Sequence, residues 1–219
     1  MGESDTVLVS RTGDFPLGGK AGDTHWQQGA WHSMRQIDPG AGAYTSRFKI
    51  LYSAKGIYVL FQGTDTKITT AYTNDFEDLF KGDVFEVFFH PDPATPLYFE
   101  YEINQLGCEL VLLVPNLRGH FLGWRPWHYE GDRRVLKRVS VEGGPAEAGA
   151  AIQSWSAELF IPFALLAPLE NVPPSPGTSW KANFCRLDYD SGGMVKWSWS
   201  PIQKSFHEFQ VYRTITFQQ

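Results

Sequence analysis

Three glutamates occupy positions where alternating runs can bring them together. In Val84-Phe85-Glu86-Val87-Phe88-Phe89 one carboxylate is embedded among apolar side chains of both parities. Successive side chains of a strand point to opposite faces, so Phe85, Val87 and Phe89 share one face and Glu86 joins Val84 and Phe88 on the other. In Phe99-Glu100-Tyr101-Glu102-Ile103-Asn104 the apolar set is Phe99, Tyr101 and Ile103, and Glu100, Glu102 and Asn104 form a polar row. Paired as a hairpin, the two runs place Glu86 and that row on one sheet face. Such a cluster can accept hydroxyl hydrogen bonds, or divide acid and base roles between two carboxyl groups. Glu100 and Glu102 equally suit the solvent side of a half-buried strand. Glu86 does not, because an unpaired carboxylate among apolar groups is costly. It requires a cation or several donors, and Arg186, between Cys185 and Leu187 in a later run, is the favoured partner.

The second set of chemical residues is aromatic. Flat rings cover the apolar C–H face of a sugar ring, while carboxylates, amides and guanidinium groups bond its hydroxyls. The chain holds 8 Trp, 9 Tyr and 16 Phe, enough to supply both a core and a binding surface. Burial statistics assign most of these aromatics to a core, while Trp124, Trp127, Trp197 and Trp199 add to the rings available for a sugar. Phe80, followed by Lys81-Gly82, and Phe206, within Gln203-Lys204-Ser205-Phe206-His207, stand in polar settings instead.

These residues need rigid elements to hold them. Ten strand-like runs follow one another: 48–52, 57–61, 84–90, 98–104, 109–114, 134–141, 155–161, 180–188, 195–199 and 211–217. Ser53-Ala54-Lys55-Gly56 reads as a hairpin loop between the first two. Residues 1–14 read as an irregular lead-in, and Pro162 opens a single helical turn over Phe163 to Leu166. Residues 142–151 are small and flexible, an exposed turn rather than a linker. Regular spacing with almost no helical periodicity predicts an all-β, antiparallel β-sandwich of about ten strands. No compositional boundary divides residues 1–219, so one domain is expected. Its predicted core takes Ile50, Tyr58, Leu60, Phe85, Val87, Phe89, Tyr101, Ile103, Leu159 and Ile161.

Composition narrows the partners. The 219 residues carry 19 basic and 24 acidic side chains, a net charge of −5. The densest basic run, Arg133, Arg134, Lys137 and Arg138, alternates with apolar residues, which argues against nucleic acid as a partner. No run approaches the ~18 apolar residues of a membrane span. The first twenty residues lack a basic-then-apolar leader. Cys108 and Cys185 sit in no metal or redox spacing. His25 and His32, seven apart, make a weak metal pair.

The order of landmarks resembles that of the family 9 carbohydrate-binding modules and their DOMON-like relatives. Gly19, Asp23 and Trp26 are similar to the family's opening, and Leu51-Tyr52 with Ile57-Tyr58-Val59 to its first hairpin. Gly82-Asp83-Val84-Phe85-Glu86-Val87-Phe88 resembles its Asp-x-x-Glu-[Val/Ile]-Phe signature. Trp155-Ser156-Ala157-Glu158-Leu159-Phe160-Ile161-Pro162 resembles its Trp-x-x-Glu-x-x-Ile-Pro segment, and Trp197-Ser198 with Phe206-His207 its close. The resemblance implies a secreted, extracellular or periplasmic, non-catalytic domain that binds the end of an oligo- or polysaccharide, with structural calcium in some members and no other cofactor. Position by position, the two stacking tryptophans of the family fall on Phe80 and Phe206 and its glutamate on Glu86. Its arginine falls on Glu102, a departure that should disfavour acidic sugars.

The site expected from both lines is a cleft walled by Phe80 and Phe206 over Glu86 and Glu102, with Arg186, Trp197 and His207 nearby. Two alternatives use the same residues. A glycan hydrolase would take two of Glu86, Glu100 and Glu102 as its paired carboxyl groups. A haem-binding DOMON-type cytochrome would need axial ligands from Met34, Met194 and His207.

Overall fold

The computed structural model describes residues 6–38 and 44–219. Fourteen strands account for most of the regular structure: β1 (Thr6–Arg11), β2 (His32–Gln36), β3 (Ser46–Tyr52), β4 (Gly56–Thr64), β5 (Val84–His90), β6 (Leu97–Asn104), β7 (Glu109–Leu117), β8 (His120–Phe121), β9 (Arg125–Pro126), β10 (Leu136–Glu142), β11 (Ser154–Pro162), β12 (Ser179–Asp188), β13 (Val195–Ser198) and β14 (Arg213–Phe217). Among the described residues the one α-helix is the turn Phe163–Leu166 after Pro162. The all-β reading holds, and ten of the strands match the expected runs.

The four additional strands are β1, β2, β8 and β9. Residues 1–5 of the expected lead-in lie outside the described residues, but 6–11 are strand, which corrects that reading. β1 pairs in parallel with β14 and β3, partners distant in sequence. A six-residue strand whose stability comes from such distant neighbours leaves little local signal. Its parallel pairing also departs from an all-antiparallel arrangement. Nor are the two layers separate sheets. The strands run β10-β11-β4-β3-β1-β14-β12-β5-β6-β7, and β2 with β13 bridges β3 to β12. The strands β3, β1, β14, β12, β13 and β2 therefore close a six-stranded ring.

The main core lies between the β11-β4-β3 layer and the β12-β5-β6-β7 layer, and stacked rings join them. Phe48 meets Phe184 at 3.7 Å, Phe61 meets Phe85 at 4.8 Å and Phe85 meets Trp155 at 4.1 Å. Eight of the ten expected core residues are in this cluster. Tyr58 and Leu60 are buried too, but on the opposite face of β4, where Phe15, Trp26 and Leu51 cover them. Glu158 on β11 fastens that covering segment, accepting hydrogen bonds from the backbone N–H groups of Gly18 and Ala21 at 2.8 and 2.6 Å.

The far face of β12-β5-β6-β7 is covered as well. Val84, Phe88, Tyr98, Leu110, Leu112 and Leu187 pack there under Leu79, Ile202, Phe206 and Tyr212. These four strands are thus buried on both faces, which explains their long apolar runs. The hairpin after β6 is set by Asn104, whose Oδ1 accepts from the N–H groups of Leu106 and Cys108, with Gly107 at a φ of +80°.

Gly56 shows how closely β4 and β11 meet. A Cβ at this position would lie 2.4 Å from the Ile161 carbonyl oxygen and 2.8 Å from Pro162 Cα, backbone atoms that cannot swing aside. Gly56→Ala is expected to destabilise the fold by ~1–3 kcal/mol, the usual cost of overpacking. Urea denaturation measures it, and an unchanged midpoint would contradict the apposition.

Candidate functional site

A cleft of about 380 Å³ opens on the outer face of β5, β6 and β7. Strand register builds its floor. Glu86 lies directly opposite Glu102, and Glu100 stands two residues along β6, opposite Phe88. Leu112 and Leu187 complete the floor, and Phe80, Phe121, Trp124, Met194, Phe206 and His207 surround it. Phe80 is half-buried and edge-on to Trp124 at 5.6 Å, while Phe121 stacks on the His207 ring at 4.3 Å. Phe206 is only 7% exposed and packs against Phe88, so little of its face is free. By contrast Phe121, Trp124 and Met194 are each at least 40% exposed around the mouth. A surface cluster of that kind marks a place where apolar contact is still to be made.

The electrostatics of the floor are unusual. Burial pushes the carboxyl groups of Glu86 and Glu102 well above the usual range; Glu100 raises Glu86 further, and Glu86 and Glu100 raise Glu102. Burial likewise raises Glu100, to about 8. At neutral pH the floor therefore holds protonated carboxyl groups, which can donate as well as accept. Glu100 Oε2 and both carboxyl oxygens of Glu102 are buried and lack a hydrogen-bond donor. Burial lowers His207 to about 4, leaving a neutral imidazole whose Nδ1 sits 2.9 Å from the Tyr98 hydroxyl.

Arg186 does not join this floor. It pairs across β12 and β5 with Phe85, whereas Glu86 pairs with Cys185. Strand parity therefore sends Arg186 to the core side, and the expected Glu86–Arg186 pair is not formed. Trp197, opposite Arg186 on β13, goes the same way and is fully buried. The guanidinium is held 5.2 Å from the ring centres of both Tyr44 and Trp197. Its Nη2 donates to Asp65 at 2.9 Å and to Asp188 at 2.6 Å.

This second polar cluster could hold a metal. Asp65, Asp83 and Asp190 each bring a carboxylate oxygen within 4.8 Å of the others. Gln105 Nε2 donates to Asp65 and Asp83, and its Oε1 is buried without a partner. Burial raises Asp65 to about 7 against the pull of Arg186, and burial with repulsion from Asp188 raises Asp83 to about 8. Burial acts on Asp190 too, but donors from Thr69, Thr66 and Tyr44 outweigh it and hold that carboxyl low. Arg186 pairs with Asp65 alone of the three, and oxygen donors of this kind suit the hard calcium ion that the family resemblance implies.

Of the seven residues singled out in the sequence, Phe80, Glu86, Glu102, Phe206 and His207 meet in the cleft, and Arg186 and Trp197 lie on the opposite face. Sequence reasoning missed Trp124, Phe121, Lys196 and Lys204 as cleft residues. Trp124 and Phe121 did stand in a polar, aromatic-rich loop, the signal that also marked Phe80.

A sheet face carrying a carboxyl floor and an aromatic rim thus sets an open cleft into an all-β fold. The sequence of residues 17–110 matches the family described as carbohydrate family 9 binding domain-like. That span contains Gly19, Asp23, Trp26, Phe80, Glu86 and Glu102. No curated protein matches the chain. Among solved structures, a candidate carbohydrate-binding protein of Bacteroides uniformis aligns over 97% of this chain and 99% of its own, with a TM-score of 0.79 and 17% identity. A family 9 carbohydrate-binding module from Caldicellulosiruptor kristjanssonii, solved with cellotriose and with glucose, has a TM-score of 0.68 at 14% identity, over 97% of this chain. In those two structures the alignment takes in 93% and 95% of the module. The fold is that of the family 9 modules, and the resemblance read from the sequence holds.

The raised carboxyl groups set the direction of the pH dependence. Unfolded carboxyls titrate near ~4, so above that the native state binds more protons than the unfolded one. Stability is therefore greatest near the unfolded values and falls as pH rises through about 7 to 8, where Asp65, Asp83 and Glu100 ionise. Thermal melts across this range check it, and a midpoint that climbs with pH would contradict it. Millimolar calcium is expected to reduce the loss at high pH by favouring ionised Asp65 and Asp83. Arg186→Met, which strands two buried carboxylates, should cost ~3–5 kcal/mol in the same assay.

Proposed function

We propose that the chain is a non-catalytic carbohydrate-binding domain whose cleft takes the end of a neutral or weakly basic glycan. The observation that carries this reading is the cleft itself. Rings that can cover a sugar's C–H face stand around carboxyl groups that can bond its hydroxyls. Support comes from the fold shared with a module solved with cellotriose and glucose. Phe80 and Trp124 form the stacking wall. Phe206 and His207 form the opposite side, and Glu86, Glu100 and Glu102 meet the hydroxyls. On this reading residues 1–219 are one sandwich-like domain, at work outside the cell or in the periplasm. Among the described residues no helix is long and apolar enough to cross a membrane.

The hydrolase alternative is less well supported. Paired-carboxyl hydrolysis needs one group ionised as base or nucleophile while the other is protonated. Here burial raises all three together. The haem alternative loses one ligand, because Met34 is packed in the inter-layer core.

Calorimetric titration with cello-oligosaccharides tests the proposal. Phe80→Ala and Trp124→Ala are each expected to weaken binding about tenfold, or ~1.4 kcal/mol, without lowering the melting temperature appreciably. Binding left intact in both variants would move the site elsewhere on the fold.

A further inference from the structure

The carbohydrate reading leaves the cleft floor unbalanced. Glu100 and Glu102 are 4% and 1% exposed, line the cleft, and present three oxygens between them with no donor. Glu86, opposite Glu102, adds a third carboxyl group. Among the described residues no lysine or arginine pairs with them, because Arg186 is on the other side of the sheet; His207 Nδ1 lies 4.0 Å from Glu100 Oε2. Lys196 stands at the rim, 3.5 Å from Asp38 and donating to the Lys204 carbonyl at 3.4 Å. Lys81, on the turn beside Phe80, is paired with Asp78 at 2.7 Å. Lys204 lies at the mouth, and His207 beside it is neutral. The remaining floor neighbours, Cys185, Leu187 and Leu112, bring no charge.

We propose that the cleft's occupant carries a primary ammonium on its terminal sugar, an amino sugar of the unacetylated glucosamine type, with the ammonium seated among Glu86, Glu100 and Glu102. The inference rests on the carbohydrate reading of the same site and narrows it. An ammonium offers three N–H donors, enough to bond two of these carboxyl groups at once. Charge-assisted bonds of this kind are about twice as strong as those a neutral hydroxyl makes. The surrounding rings of Phe80, Trp124 and Phe206 favour a cation as well as a sugar face. A small metal ion fits less well. Among the described residues, only Asp65, Asp83 and Asp190 bring three ligand oxygens within 4.8 Å of one another. The three glutamates together are spread more widely than that, so an ammonium bonds two of them directly and leaves the third to a neighbouring hydroxyl of the same sugar. Seating the ammonium ionises carboxyl groups that are protonated in the free protein, so binding releases protons to the buffer.

The experiment is calorimetry near neutral pH with three probes: the glucosamine trimer, its fully N-acetylated counterpart and cellotriose. Each is run in two buffers of different ionisation enthalpy. The expected result is about tenfold or greater preference for the glucosamine trimer over both others, with net proton release for that probe alone. Glu102→Gln and Glu86→Gln, which keep the side-chain shape, should remove the preference and the proton release together. Equal or weaker binding of the glucosamine trimer would overturn the inference. If cellotriose still binds in that case, the carbohydrate reading survives. If no probe binds, both fall. The comparison of acetylated with free trimer uses the unmodified chain, so it does not depend on a variant folding.

Discussion

The sheet formed by β12, β5, β6 and β7 is covered on both faces, so each ionisable side chain it carries must be satisfied inside the protein. Side-chain alternation divides these groups into two sets that cannot exchange partners. Facing the inter-layer core, Arg186 meets Asp65 and Asp188 and stacks on Tyr44 and Trp197. Facing outward, Glu86, Glu100 and Glu102 meet one another and a cleft. The inner set supplies its own cation and donors and is closed. Among the described residues the outer set pairs with no arginine or lysine, and it lies where a ligand can supply a cation. Buried polar groups without partners cost stability, so a cluster left open in this way is better explained by binding than by folding.

The rim is held in place by two tyrosines that flank strands, Tyr189 just after β12 and Tyr212 just before β14. Tyr189 donates its hydroxyl to the Phe80 carbonyl at 2.7 Å, and Tyr212 donates to the Phe206 carbonyl at 2.5 Å. The segments that carry the two rings are therefore tied down by backbone bonds. Holding the walls before the ligand arrives reduces the ordering cost of binding. Trp124 and Phe121 differ. They belong to the short β8–β9 excursion, whose two strands pair with β7, and keep much of their surface in solvent.

Much of this arrangement was legible in the chain. Alternation alone placed Glu86, Glu100 and Glu102 on one face, because a two-residue period is a local property that the register preserves. The same alternation would have warned against Arg186 as the partner of Glu86. In Cys185-Arg186-Leu187-Asp188 the arginine shares parity with Asp188, and that i, i+2 pair is one of the two ion pairs that Arg186 makes. What local pattern does not carry is cross-chain register, which decided that Glu86 faces Cys185. β1 was invisible for a related reason, since its neighbours lie more than 30 residues away in one case and more than 200 in the other. Trp124 was discounted by burial statistics, which describe an average tryptophan and not one in a polar loop at a cleft mouth.

The central claim is that a glycan end enters the cleft between the Phe80–Trp124 and Phe206–His207 walls and meets the three glutamates. A crystal structure of the chain with a bound oligosaccharide tests it most directly. The account predicts a terminal sugar ring stacked on that aromatic wall, with polar atoms within hydrogen-bond distance of Glu86 and Glu102. A sugar seated on another face, with the cleft and its three glutamates untouched, would contradict it.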